Sequence, residues 1–162
     1  MSLLIQNGRV VDPVSGTVSI LDLYVENGRV LQLERDIRAE ADQVIDATGM
    51  VVCPGLVDMH VHLRDPGLIY KEDIFTGTAA AARGGVTAVA CMANTKPTVD
   101  TPEQIQYIRE KAAQACGVHV WPIGAVTVGQ AGQALTDFET LKHAGAVALS
   151  DDGVPVQNAN LM

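Results

Sequence analysis

Aromatic residues are scarce: Phe, Trp and Tyr together make up 4% of the 162 residues. Any interior must therefore be built from Val, Ile, Leu and Ala rather than from large rings. Cysteine is also sparse, and Cys53, Cys91 and Cys116 form no Cys-x-x-Cys pair, which excludes a disulfide framework. Each lies in or beside an apolar run, so all three read as buried free thiols in a reducing compartment. There is no basic excess, with 11 Lys and Arg against 19 Asp and Glu and a net charge of −8. That balance argues against nucleic acid or an anionic membrane surface as a partner. A small anionic substrate stays compatible, because one well-placed cation overrides the global sign locally. No apolar run approaches the ~18 residues of a membrane span. Residues Met1 to Gly8 lack a basic region followed by a long apolar core, so no signal peptide is expected and the chain reads as cytoplasmic.

What is present is a composition suited to a buried α/β interior, 48% hydrophobic and 19% charged. Residues 1–53 read as short strands separated by turns at Asn7-Gly8, Asp12-Pro13, Asn27-Gly28 and Thr48-Gly49. No helical period competes there, so the segment is expected to be a small all-β module, part of a β-sandwich. From residue 54 onward the pattern becomes strand, loop, helix, repeated. Strands are predicted over 56–63, 86–92, 118–125 and 146–150. The first helix spans about 73–83, with Glu72 and Asp73 at its positive end and Gly84-Gly85 closing it. Thr101-Pro102-Glu103-Gln104 is a capping box with proline in the first turn, opening a helix that runs to Gly117 with Ile105, Ile108 and Ala112 on one face. A second capping box, Thr136 to Glu139, is expected to open a helix ending at Gly145.

The stretch from Pro54 to Gly67 carries the chemistry. With a period of two, Leu56, Asp58, His60 and His62 share one face, while Val57, Met59, Val61 and Leu63 share the other. Unpaired imidazoles in a dry interior would cost several kcal/mol, roughly 2–7 for each polar group. A divalent metal at the strand end would satisfy both histidines together. Four βα units require a parallel sheet with outer helices. His60, His62, Asn94 and Asp151-Asp152 all fall at or just past the C-terminal ends of their strands, as active-site groups do in a (β/α)8 barrel. The fold expected is therefore the first half of a TIM-type barrel over residues 54–162, preceded by the small β module. Four strands leave two apolar edges to be paired or covered.

Pro-Gly before His-x-His, then His-Leu-Arg-Asp-Pro-Gly, Tyr70-Lys71-Glu72-Asp73, Cys91-Met92-Ala93-Asn94-Thr95 and Ser150-Asp151-Asp152-Gly153, together resemble the bacterial-type (class I) dihydroorotases of the amidohydrolase superfamily. The resemblance covers essentially the whole chain. It implies reversible, Zn2+-dependent hydrolysis of the cyclic amide of dihydroorotate to carbamoyl-aspartate in pyrimidine biosynthesis, with one or two ions per intact subunit. The ion would lower the pKa of bound water and polarise the ring carbonyl. His60 and His62 would be metal ligands and Asp152 a bridging ligand, with Asp151 the alternative. Arg64 and Asn94 resemble the family's binders of the substrate carboxylate. Asp58 and Asp151 are candidates for supporting the ligands through hydrogen bonds, with a backbone partner the competing role for Asp58. His119 and His143 do not follow the strand-end pattern and read as structural.

Hydantoinases and allantoinases look similar at the first strand, but their fourth strand normally ends in a carboxylated lysine. Here that place holds Asp151-Asp152. A catalytically silent subunit that scaffolds aspartate transcarbamoylase would have lost metal ligands that this chain keeps. A homo-oligomer or a transcarbamoylase partner is compatible with the resemblance. Ala93 stands where the family usually has proline. The family's two further histidines and its catalytic aspartate come from later strands, so the general acid/base is expected beyond Met162. A polypeptide of these residues alone is expected to lack hydrolase activity.

Overall fold

The computed structural model describes residues 1–115 and 117–161. Cys116, expected to be a buried thiol, lies outside them. Contacts divide the chain into two compact units, Met1–Pro54 and Gly55–Met162.

In the first unit, β1 (Ser2–Asp12), β2 (Thr17–Glu26), β3 (Arg29–Glu34), β4 (Gln43–Asp46) and β5 (Val51–Val52) form one mixed sheet, a single layer among the described residues. The order is β3-β2-β1-β4, with β5 also on β1. β1 pairs antiparallel with β2 and parallel with β4 and β5. The Asn27-Gly28 turn joins β2 to β3 as expected. Asn7-Gly8, however, is not a turn. β1 runs straight through it with a register shift between Ile5 and Gly8, a bulge in which Asn7 sits at φ +60°. The buried Asp22 explains this, because its carboxylate accepts the Asn7 N–H at 2.8 Å and the Ile37 N–H at 3.0 Å. Gly8 is needed for space, since a Cβ there would stand 2.5 Å from Val52 Cγ2. Cys53 is exposed, not buried, because it lies past the last ladder pair of β5.

The second unit is a four-stranded parallel sheet, β6 (Leu56–Val61), β7 (Val86–Cys91), β8 (His119–Gly124) and β9 (Ala148–Leu149), in the order β6-β7-β8-β9. Helices α1 (Ile74–Arg83), α2 (Pro102–Ala112) and α3 (Phe138–Ala144) connect the strands. This is the architecture of half a (β/α)8 barrel. The core between sheet and helices joins Leu63, Ile74, Val89, Cys91, Ile105, Ile108, Val120 and Leu141, with Val61 packed against it. Burial of a side chain such as Ile105 or Ile108 contributes about 1.5–3 kcal/mol. On the other face a smaller cluster joins Ala90, Met92 and Ile123. Burial pushes the Cys91 thiol up to about 12, so it stays protonated. β6 and β9 are the two edges. Val57 and Met59 stand exposed on β6 among the described residues.

The helix termini mostly follow their sequence signals. Asp73 caps α1, accepting the Thr76 N–H at 2.8 Å, and this hydrogen bond holds its carboxyl below the usual range. Thr101 and Gln104 form the reciprocal box at α2, with Pro102 in the first turn. α2 ends at Ala112, five residues before the predicted stop at Gly117. α3 begins later than predicted, at Phe138, and Asp137 is its cap, accepting the Thr140 N–H at 3.1 Å. The Thr136 hydroxyl instead donates to the Ala125 carbonyl at 2.7 Å, ahead of the helix.

An unpredicted ion pair ties the loop after β6 to α2. Buried Asp65 receives Lys111 Nζ at 2.5 Å and the Tyr107 hydroxyl at 2.9 Å. Lys111 also lies over the rings of Phe75 and Tyr107. Its pKa is raised from 10.5, first by the hydrogen bond to Asp65. Because the folded value is the higher one, this stabilisation is complete below pH 10.5 and is lost as pH rises through the folded value. Lys111→Met leaves a buried carboxylate without its charge partner and should cost about 3–5 kcal/mol. Urea denaturation at pH 7 measures that cost, and Asp65→Asn in the Lys111→Met background should recover part of it.

Candidate metal centre

The end of β6 and the loops after β7 and β9 meet at one point. His60 is the penultimate residue of β6, and His62 lies just past its end. Asp152 follows β9 in the Asp151–Gly153 turn. His60 Nε2 stands 3.3 Å from Asp152 Oδ1, and His62 Nε2 stands 3.4 Å from Asp152 Oδ2. One ligand atom from each of the three lies within 4.8 Å of the others. His60 is exposed while His62 and Asp152 are half-buried, so the group opens to solvent on one side.

Asn94, in the loop after β7, joins this group. Its Nδ2 donates to Asp152 Oδ2 at 3.0 Å, and its Oδ1 lies 2.9 Å from His62 Nδ1. An ionised carboxylate only accepts, so the amide nitrogen must face Asp152 and the amide oxygen must face His62. Nδ1 of His62 is then a donor, and Nε2 faces the carboxylate, where it can either carry a proton toward Asp152 or offer its lone pair to a shared cation. Two neutral imidazoles and a carboxylate are a donor set that suits a divalent transition metal, so these residues can hold one.

The other expected residues fall around this point in different roles. Asp151 is buried and turned away, with Oδ1 accepting the N–H groups of Val126 at 2.8 Å and Thr127 at 3.1 Å, and Oδ2 accepting the Thr127 hydroxyl at 2.5 Å. It fastens the turn that carries Asp152 to the end of β8. Asp58 is exposed, and its carboxylate accepts the backbone N–H of His60 at 3.1 Å, not a ring nitrogen. Arg64 is half-buried at φ +57°, held in that unfavourable backbone region between buried Leu63 and Asp65. Its guanidinium has no hydrogen bond or ion pair to another described residue. His119 and His143 are exposed and away from the group. Sequence reasoning missed the Asp65 tie and the Thr127 anchor. Tyr107 and Lys111, four apart on α2, were the only local trace of the first.

A family model described as "Dihydro-orotase-like" matches residues 49–162. The chain belongs to that family. Among curated proteins it is 53% identical over its whole length to a dihydroorotase of Geobacter metallireducens, and 48% identical to one of Solibacter usitatus. It spans 38% of the length of each of these relatives. Among solved structures, an L-hydantoinase (dihydropyrimidinase) from Arthrobacter aurescens matches with a TM-score of 0.78 and 28% identity, over 91% of this chain and 32% of that one. A crystal structure of a dihydroorotase matches with a TM-score of 0.62 over 91% of this chain and 41% of that one, and its 14% identity speaks to fold alone. No helix among the described residues is long and apolar enough to cross a membrane.

The Asp151 anchor is testable without any ligand. Asp151→Ala leaves two N–H groups and a hydroxyl without their acceptor in a buried turn. It should destabilise the second unit by about 3 kcal/mol, at 1–3 for each unsatisfied group with partial relief by water. Chemical denaturation measures this, and Asp58→Ala serves as the control that should change stability by less than about 1 kcal/mol.

Proposed function

We propose that this chain supplies the first half of the barrel of a dihydroorotase, acting on dihydroorotate and carbamoyl-aspartate. The observation that carries the reading is the carboxylate of Asp152 set against Nε2 of both His60 and His62, a donor set that a divalent cation can share. Zn2+ suits the donor set. When bound it supplies Lewis acidity, which makes a water more acidic and polarises the amide carbonyl under attack. His60 and His62 present neutral lone pairs, and Asp152 brings the anion that offsets the ion's charge. Arg64, two residues past His62 and without a guanidinium hydrogen bond or ion pair among the described residues, grips the substrate carboxylate through its planar fork, and Asn94 is the second candidate contact. Cytoplasmic location and a homo-oligomer or transcarbamoylase assembly belong to the same proposal.

The hydantoinase-like structures raise a rival reading. Against it stands Asp152, since the resemblance places a carboxylated lysine at that strand end in hydantoinases. The arginine after His-x-His supports a substrate with its own carboxylate, as dihydroorotate has.

In the intact protein, dihydroorotate turnover should be lost on removal of metal by a chelator and restored by Zn2+. Turnover of hydantoins in place of dihydroorotate would sink the proposal. Metal analysis of His62→Ala and Asp152→Ala should show loss of tightly held ion relative to the wild type. Arg64→Met should retain the metal and raise KM by about 10–100-fold, the worth of a charge-assisted carboxylate grip.

A further inference from the structure

We infer that Asn94 is a positioning residue of the metal centre, acting through both His62 and Asp152, whatever contact it also makes with substrate. The inference rests on the proposed reading of His60, His62 and Asp152 as metal ligands. Both ends of the Asn94 amide are engaged within the protein. The nitrogen donates to Asp152 Oδ2 at 3.0 Å, with a longer approach of 3.5 Å to the Asp152 carbonyl, and the oxygen takes His62 Nδ1 at 2.9 Å. One of its two N–H groups is thereby committed to a side chain 58 positions away in sequence, which leaves the other for any contact with substrate.

The geometry is held from behind. Ala93 and Thr95, which flank Asn94, are both buried. Backbone hydrogen bonds run from Met92 N–H to the Val61 carbonyl at 2.9 Å and from Val99 N–H to the Ala93 carbonyl at 3.0 Å, and the Thr95 hydroxyl donates to the Pro97 carbonyl at 2.6 Å. The loop is thereby tied to the end of β6, so that Asn94 and His62 are fixed to one another. The amide then does two things. Accepting from Nδ1 selects the tautomer whose Nε2 is free to ligate, and donating to Oδ2 sets the rotation of the Asp152 carboxylate. Groups that hold ligands in this way typically account for 10–100-fold in metal affinity.

The test uses the intact protein with Co2+ as the probe and no substrate present. Asn94→Ala and Asn94→Leu are compared with the wild type by competition against a chelator and by the visible Co2+ spectrum. Both should weaken Co2+ binding by about 10–100-fold and alter the spectrum. Asn94→Leu keeps the volume while removing both hydrogen bonds, so weaker binding at an unchanged metal-free melting temperature isolates the polar contacts. Unchanged Co2+ affinity and spectrum with only a raised KM would leave Asn94 as a substrate contact and overturn the inference. A loss of affinity that merely follows a lower melting temperature in both variants would overturn it too. His60→Ala separates the two levels of the argument. If it loses Co2+ while the Asn94 variants do not, only this inference fails. If the wild type holds no Co2+, the proposed function fails with it.

Discussion

Two imidazoles and a carboxylate facing a common point are the constraint on which the second unit is built. Nε2 of His60 and His62 and the carboxylate of Asp152 come from opposite edges of a four-stranded sheet. They are held together because the backbone beneath each is fastened independently. Ladder pairs of Asp58 and Val61 with β7 flank His60, and Asp151 fixes the turn of Asp152 through three hydrogen bonds. The energy that keeps them facing comes from burial and hydrogen bonding outside the group. A cation at that point would be shared by all three side chains.

That separation of tasks runs through the unit. The helix-facing core is aliphatic, as a chain so poor in aromatic rings must make it, and it is shared among β7, β8, the three helices and the loops that join them. The loops above are secured by polar groups instead: Asp65 to Lys111 and Tyr107, Asp151 to Thr127, Thr136 to the Ala125 carbonyl. Asp65, Asp151, Thr127 and Thr136 are buried and paired, as buried polar groups must be. They contribute less to cohesion than to a single loop geometry. Arg64 illustrates the result, since its positive φ is tolerable only where Leu63 on one side and Asp65 on the other are both locked down.

The elements of the second unit were legible because their signals are local. Alternation in residues 56–63, proline and a capping box at 101–104, and glycines after helices each arise within a few residues. The meeting of His60, His62 and Asp152 was legible for a different reason, namely that strand ends of a parallel sheet must converge. What escaped was decided by partners distant in sequence. Asn7-Gly8 carries a hairpin signature, yet Asp22 and the close approach of Val52 make it a bulge. Thr136 fits a capping box, but its hydroxyl ties back to the Ala125 carbonyl, and the cap is Asp137. The role of Asp65 stayed hidden because nothing near it in sequence reveals Lys111. Asn94 was read for its chemistry toward a ligand, while its hydrogen bonds to His62 and Asp152 depend on a strand end 58 residues away.

The identity of the fourth-strand residue explains why so much is invested around it. A carboxylated lysine reaches its ions on a long, flexible stem, and small errors in backbone position are absorbed by rotamers. An aspartate has one methylene, so its carboxylate goes where its backbone goes. A site that uses Asp152 needs the end of β9 placed more accurately than a site that uses lysine. Asp151 meets that need from behind, through Val126 and Thr127 at the end of β8, and Asn94 meets it from the side, through the carboxylate itself. The likeness to a hydantoinase in backbone, together with closer likeness to dihydroorotases in sequence, is consistent with this view. One barrel can serve both ligand types, provided the residues around the fourth strand end change with the ligand.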